Sequence, residues 1–546
     1  LFLSGLVVTA AGSAAASPLL WASALAALGG SLFLFGVRRS ARMTPLAWSL
    51  CAFAAWMVAN DFLNSPYTAA GIFNPAFLLC GFVLARSAVP RAGTRARAVL
   101  LAGVAALALW ALWQSASGEG RAHANFETPN TLATIINLAL APLLFWSLYG
   151  QPRRAQLGLA LLLTAALTCT LSRGGAMALV GAIFATALLY RRAPSRHAVA
   201  RLLVVLAGGV VAGAIALQLP EWRSREPDRP GELQSVGSTF ASTLSARGEL
   251  YELAASALAE RPWLGSGYLS FNSLLERKRA QVPSYASVNV TYFVHNDYLQ
   301  TLLELGVPGL AALLALIALP FCLAAKRAAR DNDRLPLYAA LAGVATMAIH
   351  ALGDFPFYVP LCLLLFGGLL GEMDRLLAPE PSAPPEKNAG ATRWRVIGAA
   401  AVLTVLIVPP PLAEAAALYG ERNWRVGKGE SAALGFEAAR RLQPRDWRYH
   451  WYAAQFWMLQ AAQGGNRTAA KLADGAFEAA IDANPRDPRP LLGRLAMQLR
   501  LGTLLDNPQS PATLRAWAER AFALAPLNPA VRQDYAAAMS RLGNPR

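Results

Sequence analysis

Long apolar blocks, each close to the length of a bilayer crossing and separated by short basic clusters, constrain this chain more than any other feature. A membrane-spanning helix needs about 20 predominantly apolar residues. On that rule candidate spans fall near residues 1–16, 19–36, 45–60, 71–86, 97–115, 130–149, 156–171, 175–190, 202–219, 298–325, 335–353, 359–377 and 395–412. The expected fold is all-α, a polytopic membrane protein of about 12–13 transmembrane helices. Composition agrees, with 55% hydrophobic and 15% charged residues and a mean hydropathy of +0.36. The chain begins at Leu1 rather than Met, and its first block reads as a trimmed span rather than a cleaved signal.

The formal charge of +17 reads as topology rather than nucleic-acid binding. Basic clusters follow every second span: Arg38, Arg39 and Arg42; Arg91, Arg95 and Arg97; Arg153 and Arg154; Arg191, Arg192, Arg196 and Arg201; Lys326, Arg327, Arg330 and Arg334; Arg393 and Arg395. If these are cytoplasmic, the segments at 61–70, 116–129, 172–175, about 220–294, 353–354 and everything after 412 lie outside. Asn130, Arg173, Arg247, His295 and Asp354, far apart in sequence, then emerge on one face. Cys51, Cys80, Cys169, Cys322 and Cys362 lie inside apolar blocks at no metal-ligand spacing and read as packing residues.

These boundaries predict a transmembrane domain over 1–377 with an exterior lid loop at 220–294, a cytoplasmic Pro-rich linker at 378–394, a last span at 395–412 and an exterior helical domain at 413–546. In that last domain Pro444, Pro485 and Pro526 recur at a spacing of 41, each closing an Ala-rich helix and preceding another. The pattern resembles a divergent tetratricopeptide array of longer period, and a plain helical bundle is the alternative. Either makes residues 413–546 a surface for a protein partner.

The chemistry-bearing residues gather at the exterior ends of the spans. His295, Asn296 and Asp297 stand where the long loop enters an apolar segment, and Asn296, Gln300 and Glu304 would form a polar ridge on a helix there. Gly306, Pro308 and Gly309 then permit a kink. In Ser172-Arg173-Gly174-Gly175, an arginine beside glycine amides suits a phosphate or diphosphate, with snorkelling to a headgroup as the plainer reading. Arg247 opens an amphipathic helix carrying Leu250, Leu253, Ala254 and Leu258, while other loop arginines suit anionic lipid headgroups. Pro129-Asn130 marks a helix start, and His350 and Asp354 are four residues apart at a span end. There is no P-loop, HExxH, paired CxxC or Gly-x-Ser-x-Gly elbow.

The motif His295-Asn296, nine residues, then Gly306-Val307-Pro308-Gly309 resembles the O-antigen ligase and polymerase superfamily of membrane proteins that assemble bacterial surface glycans. Ser172-Arg173-Gly174-Gly175, Pro129-Asn130, Arg247 and Asp354-Phe355-Pro356 are similar to that family too, and the resemblance covers roughly residues 40–375. It implies an inverting glycosyltransferase of the bacterial inner membrane, with its site and C-terminal domain periplasmic. The donor would be a glycan on undecaprenyl diphosphate, transferred to a glycan, lipid or protein hydroxyl without nucleotide sugar, cofactor or metal. His295 would be the general base and Arg173 and Arg247 the diphosphate ligands, with Asn130, Asn296, Asp297, Glu304 and Asp354 binding or orienting.

The C-terminal domain is more than a simple lipid ligase requires, so a polymerase and an O-linked protein oligosaccharyltransferase stand as alternatives. From another class, a secondary transporter would use His295, Arg173 and Asp354 as a substrate or proton site. That reading predicts mid-membrane sites and repeated halves, and no internal repeat is visible among the spans.

Overall fold

In a computed structural model the described residues are 44–64, 70–124, 126, 128–223, 247–281, 291–327, 334–377 and 409–543. The expected spans at 1–16 and 19–36, most of 395–412, the linker at 378–394 and the clusters at 38–42 and 393–395 lie outside them. All regular structure among the described residues is helical. The membrane part comprises α1 (Pro45–Leu63), α2 (Ala70–Val83), α3 (Val89–Ala116), α4 (Pro129–Tyr149), α5 (Arg154–Cys169), α6 (Arg173–Tyr190) and α7 (Arg196–Arg223), then α8 (247–258), α9 (Phe271–Gln281), α10 (Asp297–Arg327), α11 (Leu335–His350) and α12 (Pro360–Leu377). Each expected span within the described residues coincides with one of these helices. Five of them, α1, α4, α6, α7 and α10, are individually long and apolar enough to cross a bilayer.

Local chemistry sets where these helices begin. Thr44 and Thr128 each cap a backbone N–H three residues on and are followed by proline, whose missing N–H costs nothing at a first helical position. Burial then ranks them: 83% of the apolar stretch of α4 is buried against 28% for α7 and α10, so α4 is the hub and the others face lipid. Val180 and Phe184 of α6 and Val204 and Val211 of α7 are accordingly exposed. Helices α2 and α12 meet backbone to backbone through Gly81, Gly367 and Gly371, where any side chain would strike a main-chain oxygen of the partner helix.

Two ends can be distinguished. Arg86 pairs with Asp374 at 2.9 Å and Arg201 donates to the Ser147 carbonyl at 2.8 Å at one end, where the basic clusters lie. Asn130, Arg173, His295 and Asp354 are at the other.

The remaining helices are α13 (Pro409–Arg425), α14 (Gly429–Leu442), α15 (Trp447–Gly464), α16 (Arg467–Ala483), α17 (Pro488–Leu501), α18 (Pro511–Leu524) and α19 (Pro529–Arg541), each packed on its chain neighbour. Helix α13 runs through residue 412, where the last span was expected to end. The proline period has a cause in capping. Asp446, Asp487 and Asn528, two residues after the repeating prolines, cap α15, α17 and α19 by accepting from backbone N–H groups two residues on, at 3.1, 2.9 and 3.0 Å. The arginine between proline and cap faces the membrane part in two successive repeats: Arg445 donates to the Phe62 carbonyl at 2.9 Å and Arg486 to the Ser266 carbonyl at 3.0 Å. This domain therefore sits at the His295 end.

Candidate functional site

The Gly-Val-Pro-Gly stretch explains how the histidine is positioned. Gly306 has φ +70 and ψ −172, a break inside α10 that a β-carbon would block by colliding with the Trp263 carbonyl. The break, with Pro308 lacking an N–H, frees carbonyls of the preceding turn. Three are taken up from outside: Leu303 by Ser266 N–H and Glu304 by Gly267 N–H, both at 3.0 Å, and Leu305 by the Trp56 indole at 2.8 Å. The kink is thus a socket for the turn at 262–267.

Glu304 completes that socket. Its buried oxygens accept from the amides of Leu269 and Phe271 at 2.9 and 3.2 Å, from Tyr358 Oη at 2.8 Å and from Gln300 Nε2 at 3.3 Å. Tyr268, stacked on Tyr358 with centroids 4.8 Å apart, is buried beside it and bonded to Asn74. Burial pushes the Tyr268 phenol well above its ordinary range, so it remains a neutral hydroxyl.

His295 precedes α10 with φ +59, a left-handed conformation that costs a non-glycine residue about 1–2 kcal/mol. Two contacts hold it. Tyr251 of α8 donates its hydroxyl to the His295 carbonyl at 3.1 Å, and burial raises the Tyr251 pKa, which preserves that donor. His295 Nδ1 lies 3.2 Å from Asp354 Oδ1, the imidazole side chain being 28% exposed and the carboxylate 5%. A carboxylate on Nδ1 favours the proton there and leaves Nε2 able to accept one. Arg247 stands alongside: a β-carbon on Gly353 would lie 3.4 Å from Arg247 Nη1.

The Arg173 turn joins this corner through α4 and α11. Ser172 caps α6 by accepting from Gly175 N–H at 3.1 Å and donates to Asn130 Oδ1 at 2.8 Å. Leu171, just before it, is also left-handed at φ +50. Thr134, one turn after Asn130, bonds His350 Nδ1 at 2.7 Å, while His350 Nε2 faces Asp354 Oδ2 at 3.9 Å and packs against Gly174. His350 therefore bridges the Arg173 turn to the carboxylate that holds His295. Behind Arg173, an apolar groove of about 770 Å³ runs between α4, α5, α6 and α7 past Leu144, Thr168, Ile183 and Leu206 to Pro194.

Residues 158–314 match the O-antigen ligase family model. No curated protein matches the chain. The match supports a glycosyltransferase-type enzyme of the membrane working on lipid-linked glycans. The matched stretch takes in Arg173, Arg247, His295 and the Gly306 kink. Asn130, His350 and Asp354 lie outside it and reach the corner only through the fold.

Of the residues singled out from sequence, Asn130, Arg173, Arg247, His295 and Asp354 converge. Asn296 adjoins them; its side-chain oxygen caps α10, accepting from Tyr298 and Leu299 N–H at 3.1 and 3.0 Å, and its side chain also hydrogen-bonds Tyr251. The expected ridge therefore reduces to Gln300 and Glu304. Both are buried, as is Asp297, whose Oδ2 accepts from Phe357 N–H at 2.7 Å. These acids brace the loops beneath the corner. Thr134 and the Tyr251 hydroxyl contact were not anticipated. The one signal for Thr134 was its i+4 relation to Asn130 on the same helix face.

Proposed function

We propose that the chain is an inverting glycosyltransferase of the bacterial inner membrane, moving a glycan from undecaprenyl diphosphate to an acceptor hydroxyl on the periplasmic face. The observation that carries this is the half-exposed His295 held at Nδ1 by buried Asp354. Such an imidazole can take the proton of an acceptor hydroxyl at Nε2 as that oxygen attacks the anomeric carbon. The diphosphate leaves from the opposite side of that carbon, and Arg173 and Arg247 neutralise its charge. The groove behind Arg173 is suited to the polyprenyl chain, being apolar and open to lipid. His350 links the leaving-group side to the base side.

Ligation and polymerisation share this donor chemistry, and the C-terminal helical domain also suits an O-linked protein glycosyltransferase. The experiment is transfer in proteoliposomes from a lipid-linked donor. His295→Ala is expected to lower turnover by about 10²–10⁴-fold, and undiminished turnover would sink the proposal. Arg173→Ala and Arg247→Ala are expected to weaken donor use, the opposite result being unchanged rate and donor affinity.

A further inference from the structure

A second cavity, of about 910 Å³, lies between α9 and the C-terminal helices α15, α17 and α19. It is distinct from the corner that holds His295, and the transfer scheme above makes no use of it. Its volume is near the upper end for a small-ligand pocket. Tyr292, 62% exposed and three positions ahead of His295, lines its mouth.

The lining is mixed but cationic. Arg279, Arg486, Arg489, Arg500 and Arg541 face Glu276, Asp487 and Asp534, five positive charges against three negative. Two of the acids are neutralised within the wall, Glu276 by Arg279 at 2.9 Å and Asp487 by Arg489 at 2.6 Å. Arg500 and Arg541, both exposed, have no ion-pair partner among the described residues. Burial, with Arg261 and Arg277 nearby, pushes the Arg486 pKa down.

The wall also decides the kind of anion. Small residues, Ala496, Ala530 and Ala537, add apolar lining beside the charged groups, and Asn272 and Gln455 add amides. A lining that mixes arginines, carboxylates and amides with apolar residues and an exposed tyrosine suits a sugar, whose hydroxyls both donate and accept and whose ring faces are apolar. An extended peptide would have to take its backbone partners from these same side chains, because the described walls of the cleft are helical and offer no strand edge.

We propose that this cleft binds a carboxylate-bearing saccharide, the acceptor chain whose hydroxyl is presented to His295. The acceptor role rests on the glycosyl-transfer reading; the saccharide site does not. Tyr292 stacks on a sugar ring, and the exposed Arg500 and Arg541 pair with its carboxylates.

The test is calorimetric titration of the full-length protein in nanodiscs with tetragalacturonate, with neutral maltotetraose and with hexaglutamate. Tetragalacturonate is expected to bind, more weakly as salt rises. The double variant Arg500→Ala, Arg541→Ala should weaken it by about tenfold or more, and Arg500→Glu, Arg541→Glu should abolish it, with lipid-linked donor binding unchanged in both. Equal affinity for maltotetraose or hexaglutamate, no binding of tetragalacturonate, or no effect of the variants overturns the proposal. Because binding is read without turnover, the two readings fail separately. A protein that binds tetragalacturonate but never transfers sinks the enzyme and keeps the saccharide site; one that transfers without binding sinks the cleft alone.

Discussion

Replacing Asp354 by Asn tests the site most sharply, because it keeps the side-chain shape and removes the charge facing His295 Nδ1 at 3.2 Å. An amide presenting its NH₂ to Nδ1 favours the tautomer with the proton on Nε2, the nitrogen needed as base. General-base assistance is worth about 10²–10⁴ in rate, or roughly 2.7–5.4 kcal/mol at 1.36 kcal/mol per decade. The imidazole side chain is 28% exposed, so water can partly replace the lost partner, and the expected loss is near the lower end. We expect kcat to fall about 10²-fold while donor KM changes little, since the arginines are untouched. The assay is initial-rate transfer in proteoliposomes at several donor concentrations, with a melting curve to confirm the fold. A rate within about threefold of wild type, under ~0.7 kcal/mol, would refute the pairing as a catalytic device. A rise in donor KM carrying the whole effect would refute it equally.

Gly306→Ala should cost about 1–2 kcal/mol for the left-handed backbone alone, and more because its β-carbon meets the Trp263 carbonyl; an unchanged melting temperature and unchanged proteolysis of the loop would contradict the socket. His450 is pushed below its ordinary 6.5, chiefly by burial, with Nε2 donating to the Pro444 carbonyl at 2.7 Å. Its folded pKa is the lower one, so the unfolded chain binds the extra proton. Stability is full above 6.5 and declines as pH falls from there toward the folded value. Melting followed from about pH 7.5 to 5.5 should show that decline, and His450→Gln should flatten it; parallel curves would refute the assignment. A chelator should leave transfer unchanged, because the two arginines are assigned the leaving-group charge. Activity lost in chelator and restored by a divalent ion would transfer that role to a cation.

Span positions were legible because apolar length alone decides what crosses lipid, and α1 to α7 and α10 to α12 fall where hydropathy put them. The His295–Gly306 spacing was legible as a motif, but its mechanical meaning was not. Nothing in the run of residues 297–309 says that the carbonyls of Leu303, Glu304 and Leu305 will be satisfied by Ser266, Gly267 and Trp56. Asn296 was misjudged as a ridge residue because periodicity assumes the helix has begun, whereas the residue is its cap. Glu304 reads identically in sequence whether it faces a ligand or four protein donors. Nothing in the repeat pattern marks Arg445 and Arg486 as the residues that meet the carbonyls of Phe62 and Ser266.

These contacts divide the corner into two packings. His295 directly precedes α10, whose kink grips the 262–267 turn, which Asn60 of α1 holds at the Leu264 carbonyl at 2.7 Å and Arg486 holds at Ser266. His295, the 262–267 turn and the C-terminal domain are therefore one hydrogen-bonded unit. Arg173 belongs to another, built on α4 and α6 and closed by the Asn130–Ser172 and Asn137–Gly175 bonds at 2.8 Å. The units meet at His350 and Asp354, where Thr134 holds one ring nitrogen and the other faces the carboxylate across 3.9 Å without a direct hydrogen bond. A displacement of the 262–267 turn and the C-terminal domain relative to α4 and α6 would be felt first across that gap, and it would change the separation of His295 from Arg173, the proposed base and leaving-group cation. The C-terminal domain thus has a physical route to the chemistry, through Ser266 and the kink at Gly306 to His295.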